Sequence, residues 1–217
     1  MYFPAATPTD VPAAAPPIEP PPPEPDPPPP ATHTERWLAA DAAPTWAGQG
    51  ARLLLASGFA SAFGVALGLR HGGLSILQGA LGAPAGILAV AAVAVPAFAI
   101  VLALANAPLQ AMHLAQATTR AAMRAGIFLA GVAPAAALLV VTVEESLTVD
   151  VFGFGGLVFA GWIAARSFSV DLRPARKAAP TVTRALLAFA LPGFLLFAAV
   201  LAARVWWLAL PMLTEVR

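Results

Sequence analysis

Glu144, Glu145 and Asp150 are the acidic side chains most tightly grouped in the apolar part of the chain. Hard divalent cations take carboxylate oxygens, so a cation site is the one chemistry this trio could support. The stretch lacks a calcium-loop signature, and a solvated connection between helices accounts for it better. His33, His71 and His113 are scattered, with no acid at metal-ligand spacing. No nucleophile elbow, Walker loop, H-E-x-x-H pair or paired catalytic acids occur. Zero cysteines remove disulfides and thiolate metal sites. The sequence calls for no catalytic residue, no cofactor and no metal, and it reads as a non-enzyme.

The remaining candidates concern association. Gly64-x-x-x-Gly68, Gly82-x-x-x-Gly86 and Gly156-x-x-x-Ala160-x-x-x-Ala164 are small-residue stripes. Such stripes let helix backbones approach closely, which is how helices associate where lipid removes the hydrophobic drive. Packing within one bundle accounts for these stripes better than self-association does. Arg120, Arg124, Arg173, Arg176 and Lys177 are candidate contacts for the cytoplasmic interface. Pro96, Pro134 and Pro192 sit near the middles of apolar blocks and kink them. Kinks of this kind hinge some transporters; static kinks inside a bundle are the plainer account.

These residues are positioned by elements that the charges delimit. Forty-nine consecutive residues between Arg70 and Arg120 contain no Asp, Glu, Lys or Arg. A soluble domain needs a solvated face on each element and does not leave such a run uncharged. The chain is 59% hydrophobic with a mean hydropathy of +0.77. About 20 helical residues cross a ~30 Å hydrocarbon core. The expected fold class is an all-α integral membrane protein of about five transmembrane helices. The charges place them near 53–69, 84–105, 125–143, 148–166 and 185–204. The fourth block is the shortest and spans if Arg166 snorkels and Ser146–Val149 joins its helix. No Asp, Glu, Lys, Arg or His lies deep in any block, which argues against proton-coupled transport.

Two flanking segments differ in physics. Residues 1–44 hold fifteen of the 23 prolines, and proline denies the backbone a donor and fixes φ. This expects a disordered, extended cytoplasmic tail ahead of a helical domain at 45–217. Any such run offers proline-reading partners a P-x-x-P pattern. Residues 35–51, with Arg36, Trp37, Leu38 and Trp46, fit a segment at the headgroup level. Asn106–Arg124 reads as a polar-faced helix on the cytoplasmic surface or an extension of the third span, with Asn106 as its cap. Its alternative role is contact with anionic lipid or a partner.

Charge sets the orientation. With the N-terminus inside, the cytoplasmic segments carry Arg36, Arg52, Arg120, Arg124, Arg166, Arg173, Arg176, Lys177 and Arg184. The opposite side carries Arg70, Arg204 and Arg217. Nine against three obeys the positive-inside bias, so the C-terminus is expected outside. Lysine and arginine never cluster as a nucleic-acid face requires, and nucleic acid is not an expected partner. Membrane lipids are, together with protein partners in the membrane or on the proline-rich tail.

The order of parts resembles the Yip-type family of five-span membrane proteins and its bacterial relatives. The residues carrying the resemblance run from Val95-Pro96 through Leu109–Gln116 and Arg120–Arg124 to Ala130-Gly131-Val132-Ala133-Pro134. In that pattern a proline-centred helix leads through a polar linker into a helix with a small–small–x–x–Pro element. The resemblance covers residues 52–205 and implies a non-enzymatic role in organising the membrane. The Ala/Pro/Arg bias adds a bacterial source, hence an inner-membrane location. The runner-up function is a small channel or passive transporter built on the kinked helices.

Overall fold

A computed structural model describes residues 45–70, 72–104, 111–143 and 145–209, with the side chain of Ser146 left aside. The tail expected at 1–44, the cap at Asn106, and Glu144 of the acidic trio lie outside the described residues. Among the described residues every regular element is helical. The elements are α1 Trp46–Gly68, α2 Leu74–Ala89, a π-helical turn Val90–Ala94, α3 Val95–Leu104, α4 Ala111–Thr142, α5 Ser146–Asp171, α6 Arg173–Ala178 and α7 Thr181–Ala209. They make five helices long and apolar enough to cross a membrane, with α2–π–α3 forming one span and α5–α6 another.

The helices begin and end away from the charges that the sequence reading used as boundaries. α1 starts at Trp46 rather than at residue 53, because the Thr45 Oγ1 caps it by accepting from the Gly48 N–H at 3.2 Å. α2 starts at Leu74 rather than 84, so Gly82 and Pro84 lie inside it. α4 starts by Ala111 rather than 125, α5 covers 146–171 rather than 148–166, and α7 covers 181–209 rather than 185–204. One physical reason covers α1, α4, α5 and α7, whereas α2 lies in the charge-free run and takes Pro84 into its interior. An arginine marks where a helix leaves hydrocarbon, whereas the helix continues until its backbone groups find other partners. Of the two accounts of Asn106–Arg124, extension of the third span is the one the described residues fit. The described part of that segment is the first turns of α4, and Leu114, Ala117 and Ala121 are buried in a core.

Local chemistry explains the turns. Gly72 and Gly73 take φ +64° and +53°, left-handed values that favour glycine, and reverse the chain between α1 and α2. Pro96 has no N–H to give the preceding turn. The ladder widens there, with the Val95 N–H bonding to the Val90 carbonyl in i→i+5 fashion. Arg184 closes the α6–α7 corner, its Nη2 donating to the carbonyls of Lys177 at 2.9 Å and Ala179 at 3.2 Å.

Named contacts fix the directions. Gly64 meets Gly79 and Gly68 meets Ser75, so α1 and α2 are antiparallel. Gln49 meets Thr119 and Ala56 meets Gly126, so α1 and α4 are parallel. Phe63 meets Gly156 and Leu67 meets Gly153, so α5 opposes α1. α1 packs against both α2 and α4, α5 lies on α4, and α7 lies on α2. One core gathers Phe63, Leu67, Leu129, Leu157 and Trp206 from α1, α4, α5 and α7. A second gathers Phe98, Leu114, Phe168, Leu187 and Leu191 from α3, α4, α5 and α7, with Leu172 from the α5–α6 junction. The rings of Phe98 and Phe194 stack with centroids 4.4 Å apart, and Phe168 lies 5.2 Å from Phe194.

Candidate functional site: small-residue seams and a basic end

Two features stand out: backbone-close seams inside the bundle and a concentration of cations at one end. Gly64 forms the tightest seam. A Cβ added there would fall 1.9 Å from the Gly79 carbonyl oxygen and 3.0 Å from the Ala83 Cβ. At Gly68 it would fall 2.5 Å from the Ser75 carbonyl oxygen. The partner face is therefore Ser75-x-x-x-Gly79-x-x-x-Ala83 and not the stripe of Gly82 and Gly86. Gly82 is buried, but Gly86 accommodates a distant residue instead: the Trp206 indole of α7 lies where its Cβ would be, with Nε1 2.4 Å away. Gly156 receives the Phe63 ring, and Ala160 is buried in the same core. Gly126, in the middle of Ala122-x-x-x-Gly126-x-x-x-Ala130, lets the α4 backbone approach Ala56 of α1.

Polar side chains also join helices. Trp206 Nε1 donates to the Ala83 carbonyl at 3.1 Å. The Thr119 hydroxyl and the Gln49 side-chain amide are hydrogen-bonded, and both residues are buried. Interhelical hydrogen bonds in a bilayer contribute about 0.6 kcal/mol, reaching about 1.7 kcal/mol. A double-mutant cycle of Gln49→Leu and Thr119→Val, read by unfolding in mixed micelles, is expected to return a coupling in that range. Strictly additive single effects would show that the pair carries no energy of its own.

The cations sort by end. α1 and α4 start at the same end, and α5 arrives there, so Arg52, Arg120, Arg124 and Arg166 share it with Arg173, Arg176, Lys177 and Arg184 of α6 and the start of α7. Asp171 is the one acid described at that end. Arg70 belongs to the other end, with Glu145 and Asp150. Arg70 Nη1 reaches the Glu145 carbonyl at 3.5 Å. Of the five interface candidates, Arg124, Arg173, Arg176 and Lys177 are exposed and Arg120 is half-buried. Arg124 Nη1 donates to the buried Ser167 Oγ of α5, a contact that no spacing announced.

Pro96, Pro134 and Pro192 all lie on the outer surface, and only Pro84 is buried among the prolines within helices. These three prolines therefore do not line the interior. No family model, no curated protein and no solved structure matches this chain.

Proposed function

We propose that this chain is a non-catalytic multispanning membrane protein that organises other components at a membrane. One observation carries the reading. The centre of the bundle is filled by Phe63, Leu67, Leu129 and Leu157, each at most 1% exposed, while Leu54, Ile100, Leu138, Trp162 and Phe189 stand exposed on its outside. A filled apolar interior and an apolar exterior suit a body that packs in lipid and against other helices. The outward prolines take support from the channel alternative. In this reading the basic end faces the cytoplasm of a bacterial inner membrane, as the positive-inside bias prescribes, with the C-terminus outside. The resemblance to Yip-type proteins points to the same kind of role.

Purified protein in sealed proteoliposomes is expected to pass no ions or small solutes above the protein-free leak. Partners that co-purify in mild detergent are expected to be lost on deletion of residues 1–44. Solute flux from the purified chain alone would overturn the reading in favour of a channel. A reporter fused after Arg217 that works only in the cytoplasm would overturn the orientation.

A further inference from the structure

Two cations of the basic end, Arg124 and Arg166, lie by the seam between α4 and α5. Both are exposed there on facing helices, and Arg124 is held across the seam by Ser167, which is only 5% exposed. The seam changes character toward the middle of the bundle. Phe128 follows Arg124 by one turn, and Phe159 precedes Arg166 by two turns. Their rings touch across the seam with centroids 5.0 Å apart. Trp162, one turn before Arg166, is 66% exposed. Deeper still, a methyl added at Gly131 of α4 or Gly155 of α5 would meet nothing within 4 Å. The order from the end inward is thus guanidinium, aromatic shelf, open lane.

That order matches a phospholipid. Arginine suits phosphate oxygens through its planar fork of donors. Indole rings prefer the headgroup boundary, and the apolar lane beneath takes an acyl chain. Inorganic phosphate would leave the aromatic shelf uncovered. A zwitterionic lipid would bring its own cation to an end where eight described cations face one acid. We propose that the α4–α5 seam holds one acidic glycerophospholipid, its phosphate on Arg124 and Arg166 and an acyl chain over Phe159 and Trp162. This rests on the reading of the chain as membrane-spanning and not on its orientation or partners.

The test is native mass spectrometry of the full chain released from mild detergent, titrated with phosphatidylglycerol or with phosphatidylcholine of the same chains. Phosphatidylglycerol is expected to be retained preferentially. Two variants remove the same charge at different places: R124Q/R166Q in the seam and R173Q/K177Q on α6. A nearby cation strengthens binding to an acidic headgroup about fivefold, so the seam variant is expected to lose about thirtyfold and the α6 variant far less. Equal losses would mean diffuse charge and overturn the seam, as would equal retention of the two lipids or displacement by millimolar inorganic phosphate. Should R124Q/R166Q lose its helices by circular dichroism, Trp162→Ser supplies the second arm. It keeps every charge and is expected to cut retention about fivefold; unchanged retention would overturn the proposal. Failure of the membrane reading looks different, namely a folded, monodisperse chain in buffer without detergent.

Discussion

Gly64→Leu is expected to force α1 away from α2 and to empty the folded population. The first atom a leucine adds would already sit 1.9 Å from the Gly79 carbonyl oxygen and 2.6 Å from its carbonyl carbon. Those are backbone atoms of a neighbouring helix and have no rotamer to change. Overpacking typically costs about 1–3 kcal/mol when side chains can shift. Here the helices themselves must separate, so the cost is expected at or above the top of that range. The damage spreads because α1 also carries Phe63 and Leu67 into the first core. Gly58→Leu is the control. It changes the same helix by the same volume at a position where an added methyl meets nothing within 4 Å. Unfolding by dodecyl sulfate titration in neutral micelles, followed by circular dichroism, separates the two. Gly58→Leu is expected near the parent midpoint, and Gly64→Leu is expected to lose cooperative unfolding. Matching midpoints would show that the α1–α2 seam is not formed as described.

The same seam shows how far the sequence reaches. Gly64 and Gly68 are legible because four-residue spacing places small residues on one helical face. Their partner stripe is not, because α2 is rich in small residues on several faces. Ser75, Gly79 and Ala83 compete there with Gly82 and Gly86. A shift of three residues turns a helix by about 300°, so choosing the wrong stripe presents a different face. The face is chosen by neighbours remote in sequence, above all Trp206 against Gly86. The number of spans was legible because hydrocarbon tolerates few charges, so charges punctuate the chain. Helix ends were not, because Arg52, Arg120, Arg124 and Arg166 ride on helices that continue beyond the apolar stretch. The clustering of cations follows from alternation of antiparallel helices and was legible. The Arg124–Ser167 contact depends on the register of α4 against α5, which no local pattern encodes.

Trp206→Ala is expected to be the most damaging single change in α7. Its indole is 7% exposed, fills the space over Gly86 and bonds the Ala83 carbonyl at 3.1 Å. In water such a truncation costs about 3–5 kcal/mol, part of it lost transfer from solvent. A bilayer removes much of that transfer term, since lipid is as apolar as the site. The cavity and the lost dispersion contacts remain, so about 2–4 kcal/mol is expected. Trp206→Phe keeps a ring and discards the donor, and it is expected to cost about 0.6–1.7 kcal/mol. Trp207 is the neighbouring control, 52% exposed, and Trp207→Ala is expected to change stability little. A second route reaches the same contact from α2. Gly86→Ala would place a methyl 2.4 Å from Nε1, so it must displace the indole. Combined with Trp206→Ala it is expected to cost less than the sum of the two, because the methyl then has room. Equal effects at positions 206 and 207, or strict additivity with Gly86→Ala, would show that α7 does not dock on α2 through this ring.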